Sequence, residues 1–224
     1  MILNDRGIVL WRRNVGEFDR VAALLTENHG RLFVRFGGVN RPAGKLKALS
    51  EPMTSAEYRL CFSPRSDSVR VIGGRLESVF CGIRADLART LQALSCCEMA
   101  MRLVPERAAG PDKYQLLACA LQALDAVESP WIEAAFGLKL LEACGYALRE
   151  LPVPPSEREL WRALHDVPLD RLVGLPCPAP AVRRFLRVVQ DHVEAHGQKA
   201  LRAGAAMSRL ESFSLSLKKE AVAC

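Results

Sequence analysis

The chain has 224 residues, half of them hydrophobic and a quarter charged, with a net charge of +6. That balance belongs to folded globular proteins and excludes a disordered or collagen-like chain, while the length allows one large domain or two to three small ones. No apolar run approaches the roughly 18 residues of a membrane helix, because Arg, Glu or Lys interrupts each candidate. The residues from Met1 to Arg6 lack the basic start and apolar stretch of a secretory signal, so a cytoplasmic protein is expected.

Along the first eighty residues the hydrophobic period is two, which predicts strands at Gly7–Arg13, Val21–Thr26, Arg31–Gly37, Ala56–Phe62 and Val69–Leu76. Turn formers bound them at Asn28-His29-Gly30, Gly37-Gly38, Ser63-Pro64 and Gly73-Gly74. Five short strands with no helix between them suggest a small antiparallel barrel, and an OB-like barrel fits best. From Ile83 onward the period changes to about 3.6, and helices are expected at 84–104, 113–127, 131–144, 157–165, 181–196 and 205–218. Trp131, Phe136, Leu140 and Leu141 read as part of one apolar stripe. Proline-rich stretches at 151–155 and 175–180 read as stiff connectors. The fold class expected is therefore α+β. An N-terminal OB-fold β-barrel over residues 1–80 is followed by an all-helical domain over 81–224, whose final basic segment, 181–224, packs back on the barrel.

The charge is unevenly placed: residues 1–80 carry a net +5, residues 81–180 a net −3 and residues 181–224 a net +4. Basic ends thus flank an acidic middle, and a polyanion is the natural partner of such ends. In the third predicted strand, alternation puts Leu32, Val34 and Phe36 on one face and Arg31, Phe33 and Arg35 on the other. Two guanidinium groups beside a ring suit single-stranded nucleic acid, which offers phosphates to neutralise and bases to stack; the same pattern also suits a core phenylalanine with solvated arginines. Trp11, next to Arg12 and Arg13, poses the same choice, and Arg20 adds to the charge. The segment Gly37–Lys47 brings Arg41, Lys45 and Lys47 on glycine-rich chain that can follow a flexible strand or simply be a solvated linker. At the other end, Arg183, Arg184 and Arg187 stand on a predicted helix. They are expected either to hold a second strand, which annealing requires, or to solubilise the helix.

Enzyme signatures are poor. His192 and His196 stand four apart, but no acid follows the first as in a zinc protease, and a solvated helix face is expected. No nucleophile elbow or phosphate-binding loop occurs, and no catalytic site is expected. Of the cysteines at 61, 81, 96, 97, 119, 144, 177 and 224, most fall within apolar helical pattern and read as buried reduced thiols. No Cys-x-x-Cys pair is present, so no metal and no cofactor are expected.

Several residues in order carry a family resemblance. Gly7-Ile-Val-Leu10, Gly16-Glu17-x-Asp19-Arg20, Leu25-Thr26-Glu27-x-His29-Gly30-Arg31, Gly37-Gly-Val-x-Arg-Pro42 and Leu49-x-Glu-Pro52 resemble the N-terminal OB domain of the bacterial RecO recombination mediators. The run from Phe136 to Gly145-Tyr146, and more weakly His196-Gly-x-Lys-x-Leu-Arg202, is similar to that family's helical domain. The resemblance implies a non-enzymatic DNA repair factor that binds single- and double-stranded DNA and anneals complementary strands. It also implies that the protein works with RecR to place RecA on strands coated by single-stranded-DNA-binding protein, whose acidic C-terminal tail the helical domain holds. Two departures are visible. Residues 147–180 contain only Cys177 where many members carry a four-cysteine zinc module, so no zinc is expected. Where basic side chains contribute to the tail contact, Glu133-Ala-Ala135 precedes Phe136, leaving others such as Lys139 to make it. From the residues alone, an OB-fold RNA-binding module and a helical adaptor for acidic peptide tails remain the alternatives.

Overall fold

The computed structural model describes residues 1–64, 66–146, 148 and 154–197. Five strands, β1 (Ile2–Val15), β2 (Asp19–Thr26), β3 (Gly30–Phe36), β4 (Ser55–Phe62) and β5 (Val69–Ser78), close into a barrel in the order β1-β2-β3-β5-β4. All neighbours are antiparallel except β3 and β5. This is an OB-like barrel. β1 starts earlier than its alternation suggests and runs long because it serves two partners: Ile2 to Ile8 pair with β4, Gly7 to Val15 with β2, and an irregularity between Val9 and Trp11 turns the strand between them. Alternation sends Val9, Leu24, Leu32, Val34, Phe36, Tyr58 and Leu60 inward, where each large side chain stabilises the barrel by about 1.5–3 kcal/mol. The buried Tyr58 hydroxyl donates to the Leu49 carbonyl at 2.8 Å, which anchors the long connection between β3 and β4.

Part of the outer wall is also covered. Ile8, Leu10, Ala23 and Leu25 join the core of the helical region rather than that of the barrel. This region comprises α1 (Cys81–Ala85), α2 (Leu87–Leu103), α3 (Pro111–Ala126), α4 (Trp131–Ala143), α5 (Arg158–Asp166) and α6 (Ala179–Gly197). The single helix expected at 84–104 is two, because Asp86 leaves helical geometry and caps α2, its carboxylate accepting from the Arg89 amide at 2.8 Å. α4 is not a one-sided stripe: every residue from Trp131 to Leu138 is buried, the condition of a helix surrounded by others. Gly137 lets Val189 of α6 and Met99 of α2 press onto its backbone. Glu133 is in this core, accepting from Ser95 of α2 at 2.5 Å and from Gln190 of α6 at 3.4 Å.

The C-terminal segment does not lie back on the barrel over its described part. α6 turns Phe185, Val189 and Val193 inward and packs on α4 and α2, because those helices offer the matching apolar surface. The helix expected at 205–218 lies outside the described residues, as do residues 151–153 of the first proline connector. Barrel and helices are joined along β3. The Arg107 amide donates to the Arg31 carbonyl at 2.9 Å and the Arg31 Nε to the Val104 carbonyl at 2.9 Å. Gly30, with φ of +66°, is held so close to the Ala108 carbonyl that a Cβ would collide with it. Among the described residues no helix is long and apolar enough to cross a membrane.

The cysteines divide differently from the expectation. Cys96 and Cys97 are fully buried, Cys61 and Cys144 are half-buried, and Cys81, Cys119 and Cys177 are exposed. Helical period placed Cys119 in the right element but did not say which side met a neighbour, while Cys81 opens α1, ahead of the helix start expected at 84. Burial pushes the Cys97 thiol up to about 12 and raises Cys96 as well. Thiol-reactive reagent at neutral pH is expected to modify Cys81, Cys119 and Cys177 promptly, and Cys96 and Cys97 only on unfolding; mass mapping of the modified peptides checks this.

Candidate nucleic-acid interface

The outer wall of β1, β2 and β3 is built in rows. Cross-strand pairing places Trp11, Ala23 and Phe33 in one row and Arg13, Val21 and Arg35 in the next. Trp11 and Phe33 are each 37% exposed, on either side of Ala23, which is itself buried in the core shared with the helices. Neighbouring strands are about 4.8 Å apart, which puts the two ring-bearing backbones about 10 Å from each other. Phe18, 44% exposed in the turn between β1 and β2, extends this surface to its end. Phe33 therefore faces outward, with its alternates Leu32 and Val34 in the core.

Each ring carries a guanidinium. Arg41 lies over Phe18 at 5.0 Å, Arg31 over Phe33 at 5.2 Å and Arg13 near Trp11 at 5.9 Å, measured to the ring centroid. Such contacts hold cations beside rings without consuming their charge. Lys45 and Lys47 are exposed on the same connection as Arg41, whose start is tied to the β1–β2 turn by the Asn40 amide donating to the Phe18 carbonyl at 3.0 Å.

Other candidates are engaged elsewhere. Arg20 does not belong to the exposed set: it is 3% exposed, and its guanidinium donates to Asn14 at 3.2 Å, Ser50 at 2.7 Å, Glu51 at 2.8 Å and Asn40 at 3.3 Å. It faces inward because it pairs with Phe36 across β2 and β3, on the interior side of the alternation. Arg12 is half-buried and donates to Glu51 at 2.9 Å. Arg31 is partly desolvated by the helices, which lowers its pKa while leaving it cationic. Arg35 is exposed but forms an ion pair with Asp19. Arg183, Arg184 and Arg187 are exposed on α6, with Arg184 donating to Glu157 at 2.6 Å. Thus the structure brings Arg13, Arg31, Phe33, Arg35 and Arg41 together, and leaves the α6 arginines on a helix that packs on α2 and α4. Phe18 and Trp11 complete the surface. The sequence signal for Phe18 was its place in the tight turn Gly16–Asp19, where a large apolar residue has no strand to turn it inward.

Asp19 organises the lower edge. The Gly38 amide and the Arg35 guanidinium hold its carboxyl below the ordinary range. A depressed carboxyl contributes stability that is complete above its ordinary value near 4 and fades as pH falls through the lower folded value. Asp19→Asn is therefore expected to lower the urea midpoint at pH 7, with the difference from wild type shrinking as the pH is taken below about 4.

Two family models fit this arrangement. Residues 1–72 match the description "Recombination protein O N terminal" and residues 84–150 match "Recombination protein O C terminal", in that order and covering the barrel and the first helices. The chain belongs to the recombination protein O family. Relatives named DNA repair protein RecO include one from Heliobacterium modesticaldum, 30% identical over 141 residues that cover 63% of this chain and 50% of the relative. Another, from Myxococcus xanthus, is 29% identical over 208 residues, 90% of this chain and 82% of the relative. A third, from Bacillus pumilus, is 24% identical over 249 residues, with 95% and 96% covered. Against the Heliobacterium relative the chain spans half the length of its RecO counterpart.

Proposed function

We propose that this chain is a non-enzymatic factor of recombinational DNA repair that binds single- and double-stranded DNA through its barrel and anneals complementary strands. The observation that carries this reading is the exposed barrel wall on which Trp11, Phe18 and Phe33 each stand beside an arginine. Rings accept bases of any identity, worth about 1–3 kcal/mol per stacked base, while the cations neutralise the phosphates between them. Nothing in such a surface selects a sequence, which suits a protein that must act on whatever strand is exposed.

The same reading takes RecR, RecA and the tail of single-stranded-DNA-binding protein as partners, and the cytoplasm as location, from the family. An apolar groove of about 590 Å³ between α3 and the turn after α5, lined by Leu116, Ala123 and Leu169, is where the apolar end of such a tail would sit. Lys139 is the cation in this groove; it donates to the His165 carbonyl, burial lowers its pKa against the opposing effect of Asp166 and Glu142, and Asp112 and Asp170 also line the groove. Recognition there would rest on the tail's apolar residues more than on its charge.

The test is a salt titration against single-stranded DNA. Affinity is expected to fall with log salt at about 0.7 per neutralised phosphate, and replacing Arg41, Lys45 and Lys47 together is expected to flatten the slope by about two. An unchanged slope removes this connection from the interface.

A further inference from the structure

Annealing needs two strands on one protein, and a strand whose bases are stacked on rings does not offer them for pairing. A second set of cations adjoins the aromatic wall, beginning at Arg70 of β5, the register partner of Arg35 of β3. On the outer side of β4 and β5 the register pairs Glu57 with Arg75, Arg59 with Gly73 and Cys61 with Arg70. Arg70, Arg59 and Arg75 consequently form a zigzag ladder crossing between the two strands, each a diagonal neighbour of the next at about 7–8 Å. All three are exposed. Arg75 is 3.5 Å from Glu57, while Glu77 is occupied by Arg6 at 3.1 Å and by the Ser55 hydroxyl. Among the described residues no carboxylate lies within ion-pair distance of Arg59 or Arg70. The exposed apolar side chains on this side are Ile2, Ile72 and Leu76, whereas the exposed rings of the barrel, Trp11, Phe18 and Phe33, stand on β1, the β1–β2 turn and β3.

We propose that the Arg59, Arg70 and Arg75 ladder is a second strand-binding site that holds DNA by its phosphates alone and leaves its bases free. The two sets of side chains then divide the work of annealing. One strand is kept extended on the aromatic wall, and the other is carried with its pairing edges exposed to it. Three arginines and no ring give a charge-only contact, strongly salt dependent and indifferent to base identity. The inference rests on the strand-binding reading above and locates its second strand on the barrel instead of on α6.

Native mass spectrometry with a short oligothymidylate, run beside annealing of complementary oligonucleotides, tests it. Wild type is expected to carry two strands per chain. Arg59→Thr, Arg70→Thr and Arg75→Thr together are expected to leave one strand, with annealing slowed about tenfold or more, while the same three positions changed to Lys keep both properties. Equal thermal midpoints show that the threonine variant folds; should it melt early, Arg59→Gln with Arg70→Gln replaces it. If wild type binds no strand, the underlying reading fails and takes this proposal with it. If wild type binds one strand, or the ladder variant still binds two, or Arg183→Ala, Arg184→Ala and Arg187→Ala remove the second strand instead, strand binding stands and the ladder proposal falls. In that event, capture of an acidic protein surface becomes the better use for the ladder.

Discussion

Replacing Trp11 and Phe33 together by Ala is expected to weaken single-strand binding by about 30- to 1,000-fold, or about 2–4 kcal/mol, without changing its salt dependence. Each ring supports one base at about 1–3 kcal/mol, and because both occupy one row across Ala23 their losses need not add in full. No charge is removed, so the number of displaced counterions stays the same and the slope against log salt is preserved. The arginine and lysine variants of the β3–β4 connection should do the converse, flattening the slope with a smaller loss at low salt. Stability should fall less than for a fully buried aromatic pair, since more than a third of each residue is exposed. Fluorescence anisotropy at several salt concentrations separates the two behaviours, and an unchanged affinity in the double variant would remove the aromatic wall from DNA binding.

Changing Arg20 to Met is expected to cost about 1–3 kcal/mol of folding stability, the range for leaving buried polar groups without their hydrogen-bond partner, since the ion-pair partner Glu51 is itself 31% exposed. The side chain sits at the lower mouth of the barrel and binds Asn14 on β1, Asn40 and Ser50 on the long connection, and the Glu51 carboxylate. Met fills similar space but takes the guanidinium donor away from Asn14, Asn40 and Ser50 and leaves Glu51 to Arg12 alone. Lys is not a substitute, since one ammonium cannot reproduce a planar fork spread over four acceptors. Glu51 also holds Arg12, so the variant should loosen the connection that carries Arg41, Lys45 and Lys47. Urea unfolding measures the loss. Binding measured on the folded fraction should weaken far less than the stability change, and a proportional loss would return Arg20 to the DNA surface.

The barrel was legible in the sequence because strand alternation is local: Leu32, Val34 and Phe36 announce their face without reference to any other strand, and turn residues mark where each strand ends. The outward position of Phe33 follows from the same alternation once its neighbours are known to be inside. The helices were legible for the equivalent reason, their period of 3.6, and the break at Asp86 was the kind of cap that a continuous pattern hides.

What alternation could not say is which outward or inward arginine is free. Arg20 has the same charge as Arg13, yet one is tied into the barrel mouth by Ser50 and Glu51, 30 and 31 residues away, while the other lies against Trp11. Arg31 is committed in part to Val104, 73 residues on, and Arg35 to Asp19, 16 residues back. In α4 the sequence showed apolar residues but not that helices close on every side of them, nor that Glu133 would find Ser95 and Gln190 there. The ladder of Arg59, Arg70 and Arg75 is likewise invisible until β4 and β5 are set in register. Periodicity is a property of neighbouring residues and can be read from them; the availability of a charge depends on partners that only the closed barrel and the packed helices bring within reach.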